Sequence, residues 1–171
     1  MTLKQSTSES HIRAEAHPFT KLLVSGNMSN RIYTDYLYNQ YISYSLLETL
    51  CSNIHTGIQR TSSICADLLE AQPVDPKVYP STFKYLRHIS TLDPKLLLAH
   101  VYVRHMGDMY GGQLIKTKVP GSGKMYQFDN RSELIKSLRE QLTDDLADEA
   151  NTCFNLILEL FTDIANEHGI Q

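Results

Sequence analysis

A glycine-rich hexapeptide, Gly107-Asp108-Met109-Tyr110-Gly111-Gly112, is the most distinctive chemical feature of the chain. Each glycine weakens a helix by about 1 kcal/mol relative to alanine, yet residues 113–116 resume a helical pattern. Without Cβ atoms this backbone could approach a flat ligand closely, and Asp108 could orient water or polar ligand atoms beside it. The same glycines would also suit a helix end followed by a turn.

His11 is a second candidate group, because a neutral imidazole is a good ligand for iron. Lys4, Ser8, His11 and Glu15 follow one another at spacings of four, three and four, which predicts one shared helical face. Glu15 could then orient the imidazole ring through its second nitrogen. A surface histidine on an amphipathic helix fits the same spacing.

Polar side chains elsewhere could line a cleft. Tyr41, Tyr44 and Glu48 share a helical face, and together with Tyr102 and Arg104 they could hold an ordered water network. A tyrosine-rich core stripe is the alternative, and it is the interpretation that we adopt for three further tyrosines, Tyr33, Tyr36 and Tyr38.

Two cations of a later segment are also candidates. Lys136 and Arg139 are helical neighbours that could clamp carboxylates, although their spacing alone favours a solvated helix face.

The elements that must position these groups are helices, since period-2 alternation is nearly absent. Apolar periodicity, glycines and prolines predict helices over residues 2–16, 18–25, 30–55, 61–71, 80–90, 130–142 and 146–166. A further helix opens at Asp93-Pro94 and contains the glycine-rich segment. We therefore predict an all-α bundle of about eight helices, with residues 1–171 forming a single domain.

Composition excludes several classes of protein. The 171 residues carry a formal net charge of -3, which argues against nucleic-acid binding. No apolar run is long enough for a membrane span or anchor, so we expect a soluble, cytoplasmic protein. The three cysteines (Cys51, Cys65, Cys153) lack the short spacings of a zinc site or a disulfide framework, and they fit a reducing compartment.

Two segments of the chain resemble the heme oxygenase family. Residues 3–15, LKQSTSESHIRAE, are similar to that family's L-(K/R)-x-x-T-x-x-x-H-x-x-A-E segment. Residues 99–113, AHVYVRHMGDMYGGQ, are similar to its A-H-x-Y-x-R-x-x-G-D-x-S-G-G-Q signature. Segments 41–48 and 149–154 follow in the family's order, so the resemblance covers nearly the whole chain. Tyr110 departs from the serine of the signature, and Ser8 from a lysine of some members.

The resemblance implies a role for each candidate residue. His11 would be the proximal iron ligand with Glu15 as its partner, and Gly107, Gly111 and Gly112 would form the distal helix against the heme. Asp108 would anchor a distal water network, and the residues that would support it are Tyr44, Arg104 and Tyr102. The remaining contacts would come from Lys4, Lys136 and Arg139 at the propionates and from Phe154 and Phe161 in the pocket wall.

The implied reaction cleaves heme b, which is both substrate and cofactor, at its α-meso carbon. It consumes O₂ and external electrons and yields biliverdin IXα, CO and Fe²⁺. The chain has no flavin or nicotinamide fingerprint, so a ferredoxin or another reductase would supply electrons, docking on basic residues such as Lys116, Lys118 and Lys124. A bilin reductase would be a downstream partner.

Two alternatives remain at this point. One is a non-enzymatic heme carrier on the same fold. The other is a relative of the thiaminase-like helical proteins, which would use a catalytic cysteine and would not need His11.

Overall fold

The computed structural model describes residues 1–171, which form helices and turns and contain no strand. The α-helices are α1 (Leu3–Ser6), α2 (Ser8–Ala16), α3 (Pro18–Ser25), α4 (Asn30–Leu50), α5 (Thr61–Ala71), α6 (Pro80–Ser90), α7 (Leu97–Val101), α8 (Gly107–Tyr110), α9 (Gly112–Ile115), α10 (Arg131–Arg139) and α11 (Ala147–His168). A π-helical turn, Tyr102–Met106, joins α7 to α8. When α1 and α2 are counted as one interrupted helix and α7–α9 as another, the predicted bundle of about eight helices is confirmed.

The N-terminal helix is interrupted, which the sequence did not predict. Thr7 separates α1 from α2 with φ −106° and ψ 0°, and its hydroxyl donates to the carbonyl of Leu3 at 2.9 Å. Threonine hydroxyls that bond back to the preceding turn bend helices. The prediction of one continuous helix over residues 2–16 is therefore wrong at Thr7. The prediction for α3 is confirmed, with Pro18 at its first position and Gly26 beyond its end at φ 80°.

The longest central helix, α4, ends at Leu50 rather than at residue 55, because the following chain folds back towards Glu48. The Glu48 carboxylate accepts hydrogen bonds from the backbone N–H of Arg60 at 2.5 Å and of Thr61 at 3.2 Å, so it caps the start of α5. It also accepts from the Thr61 hydroxyl at 2.5 Å and from His105 Nε2 at 2.8 Å.

The ionisation of this buried pair follows from its hydrogen bonds. Burial raises the pKa of Glu48, but the bonds from His105, Thr61 and Arg60 outweigh burial and hold the pKa below its usual value. Burial lowers the pKa of His105 despite the neighbouring carboxylate. Glu48 is therefore an anion that is satisfied by neutral donors, and its role is to fasten α4 to α5 rather than to line a cleft.

The hydrophobic core consists of two clusters that α4 and α11 both enter. One cluster surrounds Leu47 and Met109, and the other surrounds Leu37 and Phe19. The apolar periodicity that predicts the last helix corresponds to a buried stripe, since Cys153 and Phe154 belong to the first cluster and Phe161 and Ile164 to the second.

The chain contains no helix whose length and apolar character would allow it to span a membrane.

The helix that carries the glycine-rich segment begins as predicted. Asp93 caps it by accepting the backbone N–H of Lys95 at 2.9 Å, and Pro94 occupies the next position. The helix widens into the π-turn at Tyr102–Met106, returns to α-helical geometry at Gly107, and is interrupted again at Gly111. π-turns inside α-helices occur frequently at functional sites.

Candidate functional site

Gly107 and Gly111 leave an exposed strip of bare helix backbone. Both residues are exposed, and they lie four apart on one helical face. A Cβ atom added at Gly107 would have no neighbour within 4 Å, and one at Gly111 would meet only the carbonyl oxygen of Gly107 at 3.3 Å. This strip is open to a ligand, and a flat molecule can approach the backbone here more closely than at any residue with a side chain.

Gly112 differs from the other two glycines of the segment. It is buried, and a Cβ atom at this position would lie 2.6 Å from the Cδ1 atom of Tyr126. The packing of Tyr126 against the helix therefore accounts for this glycine without any ligand.

Asp108 lies directly behind the strip and points into the protein. Its carboxylate accepts a 2.5 Å hydrogen bond from the Tyr44 hydroxyl, and only 8% of the residue is exposed. Burial raises the pKa of Asp108 to about 7, although the Tyr44 bond and the guanidinium groups of Arg60 and Arg104 oppose that rise. Asp108 can therefore hold or release a proton near neutral pH.

Arg104 supplies the positive charge next to this carboxyl. Its Nη1 donates to the Gln40 side-chain oxygen at 2.9 Å, and its guanidinium carbon lies 4.1 Å from the Tyr85 ring centre and 5.6 Å from that of Tyr44. The buried Nε atom of Arg104 has no hydrogen-bond partner in the protein. A buried donor without a partner is an exception among protein polar groups.

The polar network continues through residues that the sequence analysis did not select. Gln40 Nε2 donates to the Tyr36 hydroxyl at 3.0 Å, which in turn contacts the Tyr126 hydroxyl at 3.0 Å. Tyr36 is buried in the core as predicted, but it also belongs to this network. The four-residue spacing of Tyr36, Gln40 and Tyr44 along one face of α4 is the sequence pattern that could have indicated this network. Tyr85 and Tyr126 come from distant segments, and no sequence pattern links them to it.

His11 lies on α2 with 59% of its side chain exposed. Its ring packs edge-on against Phe154 of α11, with the ring centres 6.1 Å apart. Its Nδ1 lies 3.6 Å from a carboxylate oxygen of Glu15, too far for a hydrogen bond but close enough to form one after a small rotation. His11 thus presents an accessible imidazole with a carboxylate partner beside it.

Lys4 lies on the other side of the Thr7 break. It is exposed on α1, while His11 belongs to α2. The spacing of an unbroken helix therefore does not apply between them, and the shared face predicted for Lys4 and His11 is interrupted at Thr7.

Tyr102 connects the two helices that carry the candidate groups. Its hydroxyl lies 3.3 Å from Thr7 Oγ1, and the residue is half-buried. The hydroxyl thus contacts the N-terminal helix, and no hydrogen bond joins it to Asp108 or Arg104.

The remaining predicted residues lie in separate settings. Lys136 is exposed and forms no ion pair, whereas Arg139 donates from Nη2 to the hydroxyl of Tyr110 in the glycine-rich segment. Phe161 packs against Phe19 with the ring centres 4.8 Å apart.

Comparisons of the sequence with known proteins agree on one family. A family model described as heme oxygenase matches residues 1–163. The chain is 29% identical to heme oxygenase of Pyropia yezoensis, over 95% of this chain and 84% of that protein. It is 25% identical to heme oxygenase 2 of Macaca fascicularis over 95% of this chain, but the match spans only 64% of that longer protein.

Solved structures agree with this result. Heme oxygenase-2 from Synechocystis sp. PCC 6803 in complex with heme and NO superimposes with a TM-score of 0.86 at 25% identity, covering 96% of this chain and 84% of that one. Heme oxygenase-1 from the same organism, in complex with heme, has a TM-score of 0.84 at 22% identity, covering 98% and 94%, and it supports the fold alone.

Substitution by alanine should change the stability in opposite directions at Gly107, in the open strip, and at Gly112, which packs against Tyr126. We expect Gly107→Ala to raise the free energy of unfolding of the ligand-free protein by about 0.5–1 kcal/mol, because alanine favours the helix and its methyl group meets nothing. Gly112→Ala should lower it by about 1–3 kcal/mol, because its methyl group collides with Tyr126. Urea unfolding measures both; destabilisation by Gly107→Ala would show that the strip is packed rather than open.

The raised pKa of Asp108 makes stability depend on pH. The folded protein keeps this proton up to about pH 7, whereas the unfolded chain releases it near its ordinary value of 3.8. Folding therefore becomes less favourable as pH rises through this window. Between pH 5 and pH 8 the wild type should lose on the order of 2–3 kcal/mol relative to Asp108→Asn. Parallel urea titrations measure the difference, and equal pH dependence of the two proteins would contradict the assignment.

Proposed function

Because the chain belongs to the heme oxygenase family, we propose that it cleaves heme with O₂ and external electrons to give biliverdin IXα, CO and Fe²⁺. The observation that carries this proposal is the bare strip of Gly107 and Gly111 next to the buried carboxyl of Asp108, whose pKa is about 7. The Synechocystis relative solved in complex with heme and NO supports heme as the ligand, and we assign that ligand to this strip.

The proximal side of the heme belongs to His11 in this proposal. Its exposed imidazole is free to bind iron as a neutral ligand, and Phe154 packs against the ring to limit its motion. After a small rotation Glu15 could accept a hydrogen bond from the Nδ1 N–H, which would leave Nε2 for the iron and fix the ring orientation. Bound heme supplies both the iron that binds O₂ and the porphyrin ring that is opened.

The distal side belongs to the glycine strip. Since neither Gly107 nor Gly111 carries a side chain, the helix backbone can lie against the porphyrin face. The close backbone restricts the space in which O₂ can be held, and this restriction is how the protein would direct attack to a single meso carbon. The α position is the one that the resemblance to the family implies.

Proton supply is the role of Asp108. Its pKa of about 7 means that both protonation states are populated at neutral pH, which is the condition for efficient general acid catalysis. Tyr44 fixes one carboxylate oxygen at 2.5 Å, and the unpartnered Nε of Arg104 can hold a water molecule in the same region. We propose that Asp108 delivers protons to the distal site through water that these groups hold. A heme carrier would need no such acid, which favours the enzyme over that alternative.

We assign the heme propionates to Lys4, Lys136 and Arg139. Lys4 and Lys136 are exposed and form no ion pair, so binding a carboxylate would not require breaking an existing contact. Arg139 is positioned next to the glycine-rich segment by its hydrogen bond to Tyr110, and Phe154 and Phe161 would line the wall.

Removing the iron ligand and removing the acid should have separable effects. We expect His11→Ala to lose the histidine-ligated Soret spectrum when hemin is added, while the control His55→Asn retains it.

Asp108→Ala should still bind heme but form biliverdin at least about 100-fold more slowly, because a positioned general acid contributes this much or more. The exposed Asp145→Ala is its control. Biliverdin formation by Asp108→Ala at the wild-type rate would contradict the assigned role.

The electron donor is proposed to be a small acidic protein of the ferredoxin type. Lys118 and Lys124 are exposed, and the Lys116 amine donates to Gln113 at 2.9 Å, close to the glycine-rich segment. Because docking through such cations is screened by salt, turnover with ferredoxin should fall as ionic strength rises, and Lys118→Glu with Lys124→Glu should raise the KM for ferredoxin. Salt-independent turnover would argue against this surface.

A further inference from the structure

Three metal-binding side chains converge in a part of the molecule that the proposed heme chemistry does not use. They come from three helices: His88 from α6, His100 from α7 and Glu149 from α11. His88 Nε2 lies 2.5 Å and His100 Nε2 lies 2.8 Å from the same oxygen atom, Glu149 Oε1. The three atoms all lie within 4.8 Å of one another, so a single small ion could contact all of them.

The donor set suits a particular class of metal ion. Two imidazoles and one carboxylate are a common ligand set for Zn²⁺ and related divalent transition metals, which often keep a fourth position for water. The Tyr85 hydroxyl lies 3.1 Å from His100 Nδ1, where it can accept the Nδ1 proton and leave Nε2 free for the metal. This orienting contact to the second nitrogen is the usual companion of a metal-bound histidine.

The distances require only a small adjustment. Ligand atoms of a tetrahedral zinc site lie about 3.3 Å apart, as follows from metal–ligand bonds of about 2.0–2.1 Å. The present separations of 2.5 and 2.8 Å are those of hydrogen bonds, so the carboxylate oxygen must move away from His88 by about 0.8 Å and from His100 by about 0.5 Å. The side chains of His88 and Glu149 are 31% and 12% exposed, and they have room for this shift.

One member of the cluster, His88, reaches the protein surface, whereas His100 is fully buried. His88 lines a surface depression of about 450 Å³ together with Thr91 and Thr152. This depression includes neither His11 nor the glycine strip, so an ion would enter independently of the heme.

A proton is the competitor for this site. Burial lowers the pKa of His100, but the neighbouring Cys153 and Glu149 outweigh burial and raise it to about 9. Tyr85 and the cation of Arg104 also face His100, and Arg104 disfavours a proton there. Because a metal ion binds the deprotonated imidazole and displaces this proton, its apparent affinity should rise with pH.

We propose that His88, His100 and Glu149 form a binding site for one divalent transition-metal ion of the zinc class. The ion joins α6, α7 and α11, and a water molecule from the depression completes its coordination.

Cobalt(II) is a suitable probe, because its visible absorption reports tetrahedral coordination. The heme-free protein at pH 8 should bind one Co²⁺ with a tetrahedral spectrum, and Zn²⁺ should displace it. His88→Asn should weaken binding at least about 10-fold, since it removes one of three ligands while the partly exposed position tolerates the change. Glu149→Gln should do the same. His55→Asn and His11→Ala should bind Co²⁺ like the wild type, which excludes the exposed histidines as the source of the signal.

Stability gives a second readout. Zinc at 100-fold above the wild-type dissociation constant should raise the Tm of the wild type by about 5–10 °C and that of His88→Asn by no more than about half as much. If the wild type gives no tetrahedral spectrum, or if His88→Asn binds as tightly as the wild type, the three residues form an ion-paired cluster only and the metal site is wrong. Neither result bears on heme binding, because no heme is present.

Discussion

A carboxyl group kept out of water immediately behind a bare helix backbone is the constraint on which the rest of the structure depends. Desolvation alone would make the ionised form of Asp108 costly, and the hydroxyl of Tyr44 with the cations of Arg60 and Arg104 reduces that cost. The balance leaves the pKa of Asp108 at about 7, so that at neutral pH the carboxyl is neither fully ionised nor fully protonated. Holding it there requires α4, which carries Tyr44, to pack closely against the helix that carries the glycines.

The same arrangement separates the two sides of one short helix. Gly107 and Gly111 face outward without side chains, while Asp108 and Arg104 face the interior and each forms a hydrogen bond with a side chain of α4. Glycines so close together would weaken an isolated helix. Here the buried face fixes the segment through tertiary contacts, including the packing of Tyr126 over Gly112. The outward face is thereby free for a ligand.

Much of the helical pattern and several site candidates could be predicted from the sequence, because their signals are local. Proline at the start of α3, the Asp93 cap and the glycine-rich segment mark their own positions. The failures concern interactions over long separations or competing hydrogen bonds. The break at Thr7 depends on one hydroxyl, and Glu48 was grouped with the cleft because its partners Arg60 and His105 are remote in sequence.

Residues that complete the polar network were missed for the same reason. Tyr85 reaches both Arg104 and His100, so it links the interior side of the glycine-rich helix to the cluster at His88 and Glu149. No spacing rule joins residue 85 to residue 104, and only the packing of α6 against the neighbouring helices brings them together. Long-range convergence of this kind is visible in the fold and not in the pattern of a single segment.

The protonation of Asp108 tests the account most directly. Carbon-13 labelling of the aspartate side chains, with Asp108 assigned by comparison with Asp108→Asn, allows its carboxyl resonance to be followed by NMR from pH 4 to pH 9 in the heme-free protein. A midpoint near pH 7 is the expected result, since the group is buried behind the glycine strip. A midpoint near its ordinary value of 3.8 would mean that burial does not outweigh the Tyr44 hydrogen bond and the nearby cations, and it would contradict both the raised pKa and its proposed part in the reaction.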